Sequence, residues 1–296
     1  MPEQTVLPPA TADKPVITVP DAIAGFPEAA YHDDPVPGGS LSSTGARKLL
    51  PPGCPAKYRW WADNKEPFKA VFEEGKAAHR KVLGVGPELV LVDRPRWDTN
   101  EVKVRLAEIR AAGNVPLKKP AMEMVDAMAK ALRDDPIAGP LLEPDQGETE
   151  LSLFWRDRSV WGRSRLDRLT KLRSGRPAIV EYKSAASAAP ADAERSMARF
   201  GYHVQGGFQR AGAIALGLVP EDVAFLIVAQ EKEPPYLCTV LEPDVAAMRI
   251  AAIRVRQAFD LFAECVASGR WPGYADDVVL AELPPWETRE LKDEIW

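Results

Sequence analysis

The side chains of this chain that could do chemistry lie between residues 150 and 205. Among them are Glu150, Asp167, Glu181 and Lys183. Glu181 and Lys183 stand two residues apart in a short apolar, β-branched run, so we expect both on one face of a strand. Carboxylates hold Mg²⁺, which keeps several waters and takes further ligands from phosphate oxygens. A nearby lysine can orient or deprotonate the nucleophile. This pattern predicts metal-dependent hydrolysis of a phosphodiester.

Two further strands are predicted upstream, and they must bring the acids together. Residues 150–156 and 160–169 have the pattern of two strands joined by the polar turn 157–159, which is typical of a hairpin. Asp167 then falls late in the second strand, beside the strand that carries Glu181. We therefore expect the two carboxylates to converge.

Each of these residues also has an ordinary structural interpretation. An acid and a lysine two apart are common on solvated strands, although here they interrupt an apolar run where a buried strand would carry apolar residues. His79 lies on an apolar helical stripe with Phe68, Phe72 and Val82. A histidine in that setting is either a satisfied core residue or a metal ligand, and imidazole beside carboxylates also accommodates Mn²⁺.

A predicted helix over 196–216 places polar side chains on one face. Tyr202, Gln205 and Gln209 lie opposite an apolar face that includes Phe200 and Phe208. The polar face is either solvated or turned toward the site, where Tyr202 and Gln205 would contact the phosphate or orient the lysine.

Charge and composition narrow the classes of function. The chain has 296 residues, 46% of them hydrophobic, and a net charge of −5. Residues 156–183 nevertheless hold nine cations against three acids, which favours a polyanionic substrate or else a solvated, arginine-rich hairpin. Three scattered cysteines without CxxC spacing indicate neither disulfides nor a zinc or iron-sulfur site. With no predicted membrane span or export signal, we expect a cytoplasmic protein.

The pattern of elements predicts a layered α/β or α+β domain. Residues 1–37 are rich in Pro and Ala and predict a loosely ordered arm, and residues 38–296 a single domain. The predicted helices are 44–50, 68–83, two within 101–133 separated by 113–120, 196–216 and 244–269. A further strand pair is expected at 223–230 and 236–241.

In their order and spacing these residues resemble phage and prophage exonucleases of the RecE type, within the PD-(D/E)XK superfamily. The resemblance covers about residues 38–290. It rests on the segments Gly75-Lys-Ala-Ala-His79, Glu150-Leu-Ser, Arg165-Leu-Asp167, Val180-Glu181-Tyr-Lys183-Ser and Tyr202-x-x-Gln205, with Ser40-Leu-Ser42, Trp271-Pro-Gly-Tyr274 and Leu283-Pro-Pro-Trp286. Leu166 replaces the proline that names the superfamily, and Glu181 stands where aspartate is more frequent.

The resemblance implies a restriction-endonuclease-like core, a central mixed β-sheet flanked by helices, with extra N-terminal helices. It also implies Mg²⁺-dependent 5′ to 3′ degradation of linear double-stranded DNA for recombination by single-strand annealing, with a RecT-like annealing protein as partner and a homo-oligomeric assembly. His79, Asp167 and Glu181 would bind the metal.

By the same likeness the catalytic residues would be Asp167, Glu181, Lys183, Tyr202 and Gln205. Glu150, Arg163 and Arg165 would support the ligands or face DNA, and a metal role for Glu150 stays open. Two other functions stay open as well: an endonuclease or CRISPR-adaptation-type nuclease with the same site, and a non-catalytic DNA-end-binding protein.

Overall fold

A mixed α/β architecture is seen in the computed structural model, which describes residues 15–64 and 73–283. Its central sheet has seven strands in the order β1-β5-β6-β7-β8-β9, with β2 paired to β6. The strands are β1 (Asp21–Ile23), β2 (Leu41–Ser42), β3 (Leu89–Leu91), β4 (Val115–Leu117), β5 (Glu148–Asp157), β6 (Val160–Lys171), β7 (Pro177–Ala185), β8 (Ala224–Glu231) and β9 (Cys238–Leu241). The helices are α1 (Glu28–His32), α2 (Ser43–Leu49), α3 (Pro55–Asp63), α4 (Glu73–Leu83), α5 (Asn100–Ala111), α6 (Lys119–Asp134), α7 (Ala138–Leu141), α8 (Pro190–Phe200), α9 (Tyr202–Ala215) and α10 (Val245–Ser268).

Strands β5, β6 and β7 form an antiparallel meander, as the hairpin pattern predicts. The turn between β5 and β6 is tight, and Arg158 within it adopts a left-handed φ of 52°. Strand β8 then pairs parallel to β7. Parallel neighbours need a crossover connection, and helices α8 and α9 supply it.

Apolar side chains on opposite faces of the sheet enter two separate cores. Ile179 and Ile227 belong to a cluster with α2, α3, α9 and α10. Val180 and Val228 belong to a second cluster with α4 and α6. This alternation follows from the two-residue period of a strand, and it leaves the central strands β7 and β8 covered on both faces by helices.

The predicted helix at 196–216 is instead two helices. Gly201 separates α8 from α9 and has a left-handed backbone, with φ 66° and ψ 36°. Glycine adopts this conformation at little cost, so the chain turns there. The short parallel pair β3–β4 is a second difference, because β4 lies in the segment expected only to separate two helices.

Residues 15–37 differ from the loosely ordered arm that their composition suggests. Strand β1 pairs antiparallel with β5. Ile17, Phe26 and Val36 pack in a small core with Phe154 and Trp161 of the sheet. Burial of these apolar side chains stabilises the segment on the sheet. Residues 1–14 lie outside the described part of the chain, and the division at residue 37 stays a prediction.

Several other expected elements are confirmed. Ser42 caps α2 through its side chain, which accepts a hydrogen bond from the Gly45 amide. Asp244 caps α10 in the same way, and Gly269 ends that helix with a left-handed residue. Phe68, Phe72 and Trp286 lie outside the described residues, so their predicted positions stay predictions. No helix in the described ranges combines the length and apolar character needed to cross a membrane.

Candidate metal centre

Three acids lie side by side across the meander. The β5–β6 register pairs Thr149 with Arg168 and Leu151 with Leu166, so Glu150 stands opposite Asp167. The β6–β7 register pairs Arg168 with Val180, and its next step sets Asp167 opposite Glu181. Residues directly opposite on antiparallel strands are close neighbours. The two carboxylates predicted to converge therefore do so, and Glu150 joins them.

His79 reaches this group from helix α4. Its Nε2 lies 3.1 Å from Asp167 Oδ1, and its Nδ1 lies 3.5 Å from Glu150 Oε1. Neighbouring Ala77 and Ala78 are buried in the α4–α6 core, which holds this face of the helix against the sheet. The imidazole is thus shared between two acids, and its role as a metal ligand stays a prediction.

Glu150 is held with an unusual backbone. Its φ is 53°, in the left-handed region that a non-glycine residue in a strand rarely occupies. Such residues cost on the order of 1–3 kcal/mol and cluster at functional sites. Arg165, on the neighbouring strand, places its Nη1 3.5 Å from Glu150 Oε2. Arg165 also donates to the Phe26 carbonyl at 2.7 Å, so the packed N-terminal segment helps to hold it.

The two oxygens of Asp167 have different partners. Oδ1 faces His79, and Oδ2 accepts a hydrogen bond from the backbone amide of Tyr182 at 2.9 Å. Because the amide belongs to β7, the carboxylate bridges β6 and β7 at the level of Glu181. The Tyr182 hydroxyl in turn donates to Gln230 on β8 at 2.8 Å, which fixes this part of β7.

Glu181 is almost completely buried, with 1% of its side chain exposed. It accepts hydrogen bonds from three side chains. Lys183 Nζ and Gln205 Nε2 each lie 2.8 Å from Oε2. Gln209 Nε2 donates to Oε1 and also to the Arg165 carbonyl. The polar face of α9 is therefore turned toward the site and is not a solvated face.

Tyr202 stands beside these groups at the start of α9. Its ring centroid lies 5.3 Å from Lys183 Nζ, a cation–π distance. The structure thus brings together all five residues for which the resemblance implied a catalytic role. The roles themselves stay predictions.

Burial and charge shift the pKa values of the cluster. Burial alone would lower the pKa of His79, but the Asp167 carboxylate and then Glu150 and Glu181 raise it to about 9. Burial raises the pKa of Glu150 to about 7, with His79 opposing and Asp167 adding to the shift. Burial alone would raise the pKa of Asp167. The charges of His79 and Lys183 and the hydrogen bond from the Tyr182 amide outweigh burial and hold this pKa below its ordinary value.

The neighbouring pair is shifted as well. Burial, followed by the Asp167 charge, raises the pKa of Glu181 despite its hydrogen bonds. Burial alone would lower the pKa of Lys183. The negative charges of Glu181 and Asp167 outweigh burial and raise this pKa. Lys183 is therefore an ammonium that neutralises part of the negative charge.

The donor set fits a divalent cation. In the part of the chain that the structure describes, one group of His, Cys, Asp and Glu side chains could hold a metal ion, namely His79, Glu150 and Asp167. One ligand atom from each lies within 4.8 Å of the others. Two carboxylates and an imidazole suit Mg²⁺ or Mn²⁺. The grouping differs from the predicted set in that Glu150 replaces Glu181, and a metal contact by Glu181 stays a prediction.

Arg163 lies away from this cluster. Its Nη1 is 2.5 Å from Asp34 Oδ2 and also donates to the Ser40 hydroxyl and carbonyl. Only 10% of its side chain is exposed. Arg163 therefore ties the N-terminal segment to β6, and neither a DNA-facing role nor direct support of the ligands describes it.

The local excess of cations has a similar explanation. Arg168 is buried, donating to the Thr149 hydroxyl and the Glu143 carbonyl. Arg176 contacts Glu242, and Arg158 contacts Asp260. Part of the positive charge counted in the sequence is thus buried or paired with acids at the surface.

Gln209 is the site residue to which sequence reasoning gave no role. Its signal was its place on the helical face of Tyr202 and Gln205. Its side chain is completely buried, and its amide is held between Glu181 and the β6 backbone.

Comparison with known proteins shows a likeness of fold. No protein-family model matches the sequence, and no curated protein matches it. Among solved structures, the chain is similar to a protein from Eubacterium rectale named "Putative exonuclease", with a TM-score of 0.54 and 12% sequence identity. The match covers 89% of this chain and 96% of the other. At that identity the likeness shows a common fold.

Proposed function

We propose that this chain is a divalent-metal-dependent nuclease that degrades linear double-stranded DNA from its ends. The observation that supports this most is the juxtaposition of His79, Glu150 and Asp167 with the Glu181–Lys183 pair on the adjacent strand. An ion-binding group beside an ammonium can polarise a phosphodiester, activate water and stabilise the developing negative charge.

The residues of the site have separate roles. His79, Glu150 and Asp167 would hold Mg²⁺ or Mn²⁺, and by the likeness to RecE-type exonucleases Glu181 would be a further ligand. When bound, the ion supplies Lewis-acid polarisation of the phosphoryl group and lowers the pKa of water. Lys183, kept cationic by Glu181 and Asp167, orients the nucleophile and stabilises negative charge on the phosphate. Gln205 and Gln209 hold Glu181, and thereby Lys183, in place.

Two observations favour exonuclease activity over other tasks for such a site. The fold is shared with the E. rectale protein named as an exonuclease. The ordered motifs from His79 to Gln205 resemble RecE-type exonucleases of the PD-(D/E)XK superfamily. By this likeness we propose 5′ to 3′ polarity, preparation of ends for recombination by single-strand annealing, a RecT-like partner protein and a homo-oligomeric assembly.

The test is an assay with end-labelled linear duplex DNA and each divalent ion in turn. We expect loss of label with Mg²⁺ or Mn²⁺, and at least a 100-fold lower rate for Asp167→Asn and for Lys183→Met. Glu108→Gln and Lys103→Met are matched controls, because both residues are exposed on α5, and they should leave the rate unchanged.

Covalently closed DNA circles distinguish an exonuclease from an endonuclease. An exonuclease leaves them intact, whereas cleavage of circles would show an endonuclease. Binding of duplex ends without metal-dependent turnover would show an end-binding protein and would contradict the proposal. Full activity of Asp167→Asn would contradict the assignment of the site.

A further inference from the structure

Phe200 is an exposed aromatic residue on the side of the site where Tyr202 contacts Lys183. The apolar pattern of its segment predicts that it packs inward with Phe208, and Phe208 is completely buried. Phe200 instead keeps 46% of its surface exposed and belongs to none of the hydrophobic clusters among the described residues. The break at Gly201 turns α8 away from the axis of α9, and this leaves the ring outside the core.

The ring is connected to the site by direct contacts. Phe200 stacks on Tyr202 with centroids 5.7 Å apart and planes at 29°. Tyr202 in turn lies 5.3 Å from Lys183 Nζ. These two steps together span about three nucleotide rises of a B-form strand at roughly 3.4 Å each. The exposed ring is therefore within a few nucleotides of any phosphate held at Lys183.

Positive charge accompanies the aromatic pair. The guanidinium carbon of Arg199 lies 5.4 Å from the Phe200 ring centroid, and Arg199 is exposed. Arg47 of α2 donates through Nη1 to the Phe200 carbonyl. An exposed arginine on a flexible chain can move from the ring to a phosphate at little cost. Aromatic rings combined with cations are the usual means of holding a DNA strand by stacking.

We propose that Phe200, supported by Tyr202, Arg199 and Arg47, is a stacking surface for the terminal nucleobase of the DNA strand that enters the site. The faces of a base inside a continuous duplex are already stacked on its neighbours. A free face exists only at a strand end or in an unpaired nucleotide. The surface therefore favours DNA ends over continuous duplex. This inference deepens the proposed function and rests on it.

The test pairs a protein change with a DNA change. Binding is measured by fluorescence anisotropy with Ca²⁺ as the divalent ion, which carboxylate oxygens also bind, and with gels to verify intact DNA. The DNA is a set of labelled duplexes, each with one abasic site among the last four nucleotides of one strand. We expect Phe200→Ala to weaken binding of the complete end about 5- to 20-fold, the low end of base-stacking effects.

The abasic duplexes identify the contact. At one position, removal of the base should weaken binding by the wild-type protein and cause no further loss in Phe200→Ala. Phe200→Trp should restore base-dependent binding. Val104→Ala is the control, because Val104 is an exposed apolar residue on α5, and it should bind as the wild type does. Thermal melting verifies that each variant is folded.

Two results would overturn the proposal: equal binding by wild type and Phe200→Ala, or a loss in Phe200→Ala that is the same with and without each terminal base. Its failure is distinct from failure of the nuclease assignment. Turnover without base-dependent binding contradicts the stacking surface alone. Base-dependent end binding without turnover contradicts the nuclease and leaves the surface in place.

Discussion

The protonation of His79 links metal affinity to pH. With a pKa of about 9 in the metal-free protein, the imidazole carries a proton at pH 7 and must release it before it can bind an ion. Because the pKa is raised, the protonated form is the one stabilised, and deprotonation becomes easier as pH rises. Affinity should therefore increase with pH, by up to about tenfold per unit between pH 7 and 9.

Calorimetry with Mn²⁺ in buffers of different ionisation enthalpy measures this proton release. Below pH 7 the affinity should change more steeply with pH, because Glu150, with its pKa of about 7, then also binds a proton. His79→Gln should bind Mn²⁺ more weakly and lose the imidazole's part of the pH dependence. The part due to Glu150 should remain and move to higher pH, because His79 no longer lowers the pKa of Glu150. An affinity that is constant from pH 6 to 9 would contradict the assignment of His79 as a ligand.

The Glu181–Lys183 pair should be energetically coupled. Lys183→Met leaves a buried carboxylate without its cation, which we expect to reduce the free energy of unfolding by about 2–3 kcal/mol. The double variant Glu181→Gln with Lys183→Met removes both charges and should recover part of that loss. Chemical denaturation of the four proteins measures the coupling, which we expect to exceed about 1 kcal/mol. Additive effects would show that the two charges do not interact.

Much of the site is predictable from residue types and spacing. Alternation along one strand places Glu181 beside Lys183, and a hairpin places Asp167 against that strand. The contact of Glu150 with His79 is not predictable in this way, because Glu150 departs from regular strand geometry. A φ of 53° in a strand has no signature in the composition of residues 148–157. Long-range packing of α4 decides where His79 points.

At the scale of elements, two glycines allow α9 to pack close to the sheet. A Cβ at Gly206 would stand 2.6 Å from Phe225 Cγ, and one at Gly212 would stand 2.6 Å from Trp155 Cζ3. Only hydrogen at these positions allows so close an approach. The contact brings Gln205 and Gln209 within hydrogen-bonding distance of Glu181.

Gly206→Ala should therefore displace α9 and weaken the site as well as the core. We expect the free energy of unfolding to fall by about 2 kcal/mol, despite the higher helix propensity of alanine, and activity on linear duplex DNA to fall with it. Gly273→Ala is the control, because nothing lies within 4 Å of its Cβ position. Unchanged stability of Gly206→Ala would show that the sheet accommodates the methyl group.

Helix and strand positions follow largely from local patterns, whereas breaks and pairings do not. The caps at Ser42 and Asp244 are local signals, and the elements they start are predicted. The division at Gly201 is not, since the apolar period continues across it into α9. The strand β1 is missed because its pairing with β5 depends on residues more than a hundred positions away.

At the scale of the whole molecule, charge predicts how DNA binding responds to salt. The net charge is −5, and Arg163, Arg165 and Arg168 are engaged within the fold. These three arginines are therefore taken up within the described part of the fold, which reduces the number of cations that can meet phosphates. We expect binding affinity to fall with salt at a log–log slope of about −3 to −4. A slope near −8 in anisotropy titrations would show a much larger phosphate interface.

The charge count is also where sequence reasoning fails most clearly. Nine cations in residues 156–183 suggest a basic surface, but a sequence contains no information about which arginines are satisfied by distant carboxylates and carbonyls. The layered α/β class is predictable, because it depends on the succession of periodic segments.

The parallel pairing of β7 with β8 has a consequence for the order of folding. Glu181, Lys183, Gln205 and Gln209 all lie in the continuous segment 177–231, whereas His79 must come from about a hundred residues upstream. Contacts within a short stretch of chain form sooner than distant ones. We therefore expect the lysine half of the site to assemble early in refolding, and the capacity to capture an ion to arise last.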